Sequence, residues 1–265
     1  MLGELLDPGT RNTLSLAEIL AEAPALTRID RKYVVPVDLA QEMLASLYPA
    51  WGVLSLDGRR TTHYRSTYFD SADLDTARAH VQRRRRRWKA RSRLYVEDRL
   101  CRMEVKAKDG RGHTVKSVVD STADRYGCLS HVERDFVTST LRNHAIRVDV
   151  HRLMPSMEVS YERMTLARTD HLPARMTIDW GVACALADER MWIDEGHVLV
   201  ETKGDLQPSD ADRLLATLGV RPRPFSKYAA AASLLRSDIA DNDVRRLRGR
   251  VLHTSVAHHQ RSHLG

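Results

Sequence analysis

In the stretch RRRRRWKARSRLYVEDRLCRMEVKAK, residues 83–108, a run of arginines gives way to Lys89, Arg91 and Arg93 at every second position, then to Glu104, Lys106 and Lys108 in the same alternation. Side chains of a β-strand point alternately to its two faces, so each set shares one face, opposed by Ala90, Ser92 and Leu94 or by Met103, Val105 and Ala107. The parity recurs in Arg28, Asp30 and Lys32, in Arg175, Thr177 and Asp179, and in Glu201 and Lys203. Rows of guanidinium and ammonium groups suit a polyanion. Arginine donates forked pairs of hydrogen bonds to phosphate oxygens and lysine supplies a point charge. The interspersed carboxylates offset part of that charge.

Two arrangements give this alternation. A half-buried antiparallel sheet turns its apolar face inward and its charged face to water. Alternatively, the sheet closes into a wide barrel with a charged lumen and helices packed outside. Like charges about 4 Å apart repel by about 4 kcal/mol at an effective dielectric near 20, so a crowded basic lumen needs anions. Glu104, Glu201 and Asp179 neutralise part of it, and a bound triphosphate or polyphosphate with a metal ion would neutralise the rest.

The elements that must carry these rows follow from periodicity. A short helix is predicted at 12–23, a strand ending at Pro36, and a helix from Val37 with Asp38 placed to cap it. Strand-like runs follow at HYRSTYFD, RRWKARSRLYV, CRMEVKAK and HTVKSVV, the last two joined by the turn signal DGRG. A helical insert occupies about 121–146. Strands resume at SMEVSYERMTLAR, ARMTIDWGV and HVLVETKG, and helices at 208–218 and 226–235 close the pattern. The expectation is an α+β fold of about eight antiparallel strands with helices outside. Residues 1–26 read as a helical extension and 237–265, with RRLRGR and four histidines, as a polar, solvated tail.

Composition sets the outer bounds. The 265 residues, 42% hydrophobic, suffice for a core, and a net charge of +7 with a pI near 9.5 favours a polyanionic partner. No apolar run is long enough for a membrane helix, and the N-terminus lacks a secretory pattern, so a cytoplasmic location is expected. Cys101, Cys128 and Cys184 form no Cys-x-x-Cys pair and read as reduced, mostly buried thiols. No histidine spacing suggests a metal site. Trp88, Trp180 and Trp192 read as packing residues, and Tyr68, Phe69 and Asp70 as core plus turn.

The segments RIDRKY (28–33), STYFDS (66–71), KARSRLY (89–95), MEVKAK (103–108), Lys116, SYERM (160–164), ARMTID (174–179), VETKG (200–204) and FSKY (225–228) resemble, in order, the motifs of the VTC domain. That domain is the polyphosphate polymerase branch of the triphosphate tunnel metalloenzymes, and the resemblance covers 27–236. It implies an eight-stranded antiparallel tunnel with helices outside, and transfer of the ATP γ-phosphate to a growing polyphosphate chain. By matched motif it assigns Lys32, Arg91, Arg93, Lys106 and Lys227 to catalysis and Lys116, Arg163, Arg175 and Lys203 to substrate binding. It makes Glu201 the ligand of Mn²⁺ or Mg²⁺. Where the hydrolase branch of this superfamily carries Glu-x-Glu-x-Lys, this chain has Arg28, Asp30 and Lys32; the arginine favours the polymerase branch, and Asp30 stands where that branch usually has Glu. The chain resembles the catalytic module without the SPX-like region and membrane segment of the eukaryotic versions. A product that must cross a membrane would therefore need a separate membrane protein partner.

Other functions fit parts of this pattern. A tripolyphosphatase or nucleoside triphosphatase would use the same tunnel with water as acceptor. A module binding polyphosphate or inositol phosphate would turn nothing over. Nucleic acid ranks last, because the strand aromatics that stack on single strands are sparse. Arg83 to Arg87 cannot all face one lumen, and read as a basic mouth that recruits ATP or polymer.

Overall fold

Alternation of small apolar and charged residues makes strands of the central sequence, and helices with one apolar face cover them. The computed structural model describes residues 2–7, 9–21, 29–110, 114–170 and 174–256. In chain order its elements are α1 (Leu2–Leu6), β1 (Thr13–Leu14), α2 (Leu16–Ala21), β2 (Ile29–Pro36), α3 (Val37–Leu47), β3 (Trp51–Leu54), β4 (Thr61–Asp70), α4 (Asp75–Val81), β5 (Arg87–Tyr95), β6 (Leu100–Lys108) and β7 (Thr114–Thr122). They continue with α5 (His131–Asn143), β8 (Met154–Arg168), β9 (Arg175–Leu186), β10 (Glu189–Ile193), β11 (His197–Gly204), α6 (Asp210–Thr217), α7 (Lys227–Leu235) and β12 (Leu252–Val256). The chain divides into two compact units. The first comprises Met1–His63, Tyr161–Val182 and Ile193–Phe225, the second Tyr64–Ser160, Ala183–Trp192 and Ser226–Gly265.

In the first unit β11 lies between β2 and β9, antiparallel to both. Tyr33, Val35, Met176, Ile178, Val198 and Val200 form the apolar face of these strands, buried with Met43, Leu44 and Leu47 of α3 and with Ala211 and Leu215 of α6. Burying side chains of this size contributes about 1.5–3 kcal/mol each. The α6 start is fixed by a capping box. Ser209 Oγ accepts from the Asp212 amide at 3.2 Å, and Asp212 accepts from the Ser209 amide at 2.8 Å. Asp212 also accepts from Tyr33 Oη at 2.7 Å and Thr202 Oγ1 at 2.5 Å, tying the helix to the sheet. The predicted cap at Asp38 is not used: Pro36 is the N-cap of α3, without a side-chain hydrogen bond, and Asp38 sits in the first turn, where a carboxylate favours the helix dipole.

In the second unit β4, β5, β6 and β7 run in sequential antiparallel order. Phe69, Trp88, Ala90, Met103, Val105 and Ala107 make their apolar face, packed with Val137 and Leu141 of α5 and with Val150 and Leu153. Helix α5 opens on a capping box between Ser130 and Glu133.

The antiparallel α+β architecture agrees with the sequence, but the strand pairings do not close a ring. They form an open path, and β7 pairs only with β6 among the described residues. The path belongs to a 12-stranded sheet where about eight strands were expected. The added strands β1, β3, β10 and β12 are at most five residues long, too short to show a period. The predicted solvated tail is folded through Val256: Ile239, Val244, Leu247, Val251 and Leu252 are buried, and β12 follows. These apolar residues are scattered among charged ones, so mean polarity hid them. Trp192, read as a packing residue, is 37% exposed and stacks on His253. Arg28 and the three residues 111–113 of the β6–β7 connection lie outside the described residues.

Candidate functional site

In each unit the helices cover the apolar face of the strands, and the charged rows occupy the other face. In the first unit Glu201 of β11 is directly opposite Lys32 of β2 on one side and Thr177 of β9 on the other. Lys32 Nζ lies 2.6 Å from Glu201 Oε2, and Lys203 Nζ lies 3.4 Å from Oε1. Burial pushes the Glu201 carboxyl up, but the charges of Lys32 and Lys203 and the hydrogen bond from Lys32 reverse this and hold it well below the usual carboxylate range. Burial lowers the Lys32 ammonium, and Glu201 limits that fall. Arg163 forks onto Asp179, Nε to Oδ1 at 2.6 Å and Nη2 to Oδ2 at 2.8 Å, with its guanidinium 5.1 Å from the centroid of Tyr161. Arg175 stands opposite Lys203 in the same register. Thr177 is buried, and its Oγ1 has no hydrogen-bond partner among the described residues.

The second unit centres on Glu104, whose side chain is only 3% exposed. Arg91 reaches its Oε2 through Nε at 2.7 Å and Nη2 at 2.6 Å, Lys116 reaches Oε1 at 2.6 Å, and Arg93 Nε is 3.7 Å away. Burial raises this carboxyl, and Arg91 and Lys116 more than offset the rise, so Glu104 stays ionised far into acid. Lys89, Lys106 and Lys116 lie directly opposite one another across β5, β6 and β7. Like charges in that position destabilise a sheet unless an anion sits among them.

Lys227 begins α7, which Ser226 caps. Its neighbour Tyr228 donates to Asp70 Oδ2 and stacks on Tyr68 with ring centroids 4.3 Å apart. Burial and the Asp70 charge raise the Tyr228 phenol well above its ordinary value, keeping it a donor. Asp70 is wholly buried and also accepts from the amides of Ser71, Thr76 and Ala77 and from Thr76 Oγ1. Tyr68 Oη in turn accepts from Arg91 Nη1 at 2.8 Å. The segment expected to be core plus turn thus ties the helix that begins with Lys227 to Arg91.

The structure therefore brings Lys32, Arg163, Arg175, Glu201 and Lys203 together in the first unit and Arg91, Arg93 and Lys116 in the second, with Lys106 in their register and Lys227 linked through its neighbour. Sequence reasoning undervalued Glu104 and Asp179. It treated both as diluting charges, whereas each anchors an arginine by paired contacts. Their position inside basic rows was the available signal. Among the described residues no three His, Cys, Asp or Glu side chains form a metal cluster, and no helix is long and apolar enough to cross a membrane. Cys101 and Cys184 are buried thiols and Cys128 is exposed.

Residues 27–236 match the family model of the VTC domain. No curated protein matches. Among solved structures, an adenylate cyclase-like protein from Bacillus halodurans aligns at 14% identity and TM-score 0.45, over 76% of this chain and 96% of its own. An adenylyl cyclase-like protein from Hippeastrum, described as having dominant triphosphatase activity, aligns at 14% identity and TM-score 0.47, over 78% and 96%. The PH1819 protein of Pyrococcus horikoshii OT3 aligns at 12% identity and TM-score 0.43, over 80% and 99%.

Proposed function

Because this chain belongs to the VTC domain family through residues 27–236, we propose that it is an ATP-dependent polyphosphate polymerase and that these residues are its catalytic module. The observation that carries this reading is the placement of the basic rows. They lie on the sheet face opposite the apolar clusters packed under α3, α5 and α6, each built around an ionised, largely buried carboxylate. A plain solvated face would not hold Arg93 and Glu104 at 8% and 3% exposure. An eight-stranded tunnel whose inner wall carries these rows is part of the proposal.

In the proposed reaction a terminal phosphate oxygen of the acceptor chain attacks the γ-phosphorus of ATP. The bond from that phosphorus to the β-bridging oxygen breaks, and ADP leaves with its electron pair. Such a transfer needs in-line positioning and charge cancellation more than covalent chemistry from the protein. Arg91 and Arg93 grip phosphate oxygens, with Arg91 held in orientation by Glu104 and Tyr68. Lys106, Lys116 and Lys227 add positive charge. Arg163, oriented by Asp179, and Arg175, Lys32 and Lys203 do the same on the strands of the first unit. The residues present fit a hard divalent ion sparingly: Glu201 offers one ionised carboxylate and Thr177, directly opposite, an unpartnered hydroxyl. Phosphate oxygens and water would complete the shell, as Mg²⁺ or Mn²⁺ ordinarily require. Bound there, the ion would neutralise charge on the phosphates.

A polymerase that consumes ATP would work in the cytoplasm, and export of the polymer would fall to a separate membrane protein. The test is incubation of purified protein with ATP and Mn²⁺ and separation of the products by gel. A ladder of phosphate chains supports the polymerase. Orthophosphate alone shifts the reading to a triphosphatase, and phosphate-chain binding with no ATP consumption shifts it to a binding module.

A further inference from the structure

The arginine run is not used by the charged rows, and in the second unit it walls a separate cleft. Arg84, Arg86 and Arg87 from the run meet Arg147 and Arg152 around a space of about 320 Å³, with Trp88 at its side. Trp88 and Leu153 on the cleft belong to the apolar core beneath α5, whereas Asp70 and Arg87 share the parity of the charged row, so the cleft sits at the end of the strands, between the two faces. Arg87 shares the parity of Lys89 and Arg91, yet its Nη1 turns to the carbonyl of Arg84 at 2.7 Å.

Several arginines elsewhere in this unit meet carboxylates. Arg83 pairs with Asp243 at 2.6 Å, Arg102 with Asp120 at 2.7 Å and Arg125 with Glu133 at 2.7 Å. Among the described residues, Arg84, Arg86, Arg87 and Arg147 have no carboxylate within ion-pair distance; Arg84 meets only the Gln82 amide oxygen, at 2.8 Å. Arg152 reaches Asp73 and Asp75 only at 3.7 and 3.9 Å. The acids on the cleft are otherwise engaged. Asp70 holds the start of α4 and Tyr228, Asp75 accepts from Ser71 Oγ, and Asp149 accepts from the His151 amide. Gathering guanidinium groups without counter-charges costs Coulomb energy that a multivalent anion removes.

We infer that this cleft is a second anion site, distinct from the charged rows, that binds a small molecule carrying a run of two or more linked phosphates. Its size suits a short phosphate chain or a nucleoside polyphosphate, and the apolar floor gives a nucleoside somewhere to rest. The inference does not rest on the polymerase reading, because it concerns binding by residues outside the proposed catalytic set.

The test is metal-free calorimetric titration of the full chain with inorganic tripolyphosphate, then ATP, then AMP. The wild type should bind tripolyphosphate at two classes of site. Arg84→Gln with Arg147→Gln should lose one class, weakened tenfold or more, and Arg84→Lys with Arg147→Lys should recover much of it. Arg91→Ala with Arg93→Ala should lose only the other class. A tripolyphosphate-induced fluorescence change that vanishes in Trp88→Phe locates the ligand in the cleft. ATP binding more tightly than tripolyphosphate there would identify a nucleotide, and the reverse order a bare phosphate chain. Unchanged stoichiometry in the Arg84/Arg147 variant overturns the proposal, as does AMP binding as well as tripolyphosphate. Preferential binding of a single-stranded RNA oligonucleotide, abolished by the same substitutions, overturns the small-molecule assignment.

Discussion

Substituting Glu104→Gln removes the charge around which the second unit's basic row is organised. Glu104 is 3% exposed, and Arg91, at 20%, makes paired contacts of 2.7 and 2.6 Å with it. Removing one partner of a buried pair costs about 3–5 kcal/mol, because the other charge is left uncompensated. The Lys116 contact adds little, since its side chain is 48% exposed and such pairs contribute about 0–1 kcal/mol. Arg91 keeps some access to water, which places the total near the lower end, about 3 kcal/mol. At about 2–4 °C per kcal/mol for a chain of this size, Tm should fall by about 6–12 °C at pH 7, measured by scanning calorimetry. The folded pKa of Glu104 is depressed to about 2, against about 4.3 unfolded, through Arg91 and Lys116 overcoming the effect of burial. Its stabilisation is therefore fully present above the unfolded value and is lost as pH falls toward the folded one. The gap between wild type and variant should be constant down to about pH 5 and narrow below it. Saturating tripolyphosphate, which stabilises whatever state it binds, should raise the variant's Tm at least as much as the wild type's. A Tm change under about 2 °C, or a gap independent of pH, would refute the reasoning.

Three further outcomes are expected. Arg91→Ala with Arg93→Ala should abolish ATP turnover while circular dichroism shows the strands intact, whereas a merely solvated row would leave turnover unchanged. Tyr228→Phe strands the buried Asp70 carboxylate without one of its donors and should cost about 1–3 kcal/mol in urea unfolding. By loosening the start of α7 it should also lower kcat/KM for ATP, with Thr76→Ser as a control that keeps the Asp70 hydroxyl contact. Glu201→Gln should remove the dependence of turnover on Mn²⁺, residual activity being the same with and without metal.

The charged faces were legible because strand alternation is rigid: once Lys89, Arg91 and Arg93 share a face, Ala90 and Ser92 must share the other. Which face the helices cover was not legible, since an open half-solvated sheet and a charged lumen give the same sequence. The contacts of Val105 and Ala107 with Val137 and Leu141 show only that α5 packs on the apolar side. Short strands such as Glu189–Ile193 and Leu252–Val256 escaped because they are too brief to display a period. The Asp70 network escaped for another reason. Its partners Thr76 and Tyr228 are joined only by tertiary folding, 6 and 158 residues away along the chain. Glu104 was visible as an acid among bases, but its role as the common partner of Arg91 and Lys116 depends on cross-strand register, which alternation alone does not set.

The most direct test of the account is a crystal structure with tripolyphosphate and Mn²⁺ bound. It should show phosphate oxygens hydrogen-bonded to Arg91 and Arg93 on the charged face and an anomalous manganese peak beside the Glu201 carboxylate. Tripolyphosphate found only among Arg84, Arg86 and Arg147, with the rows around Glu104 and Glu201 contacting water alone, would contradict it.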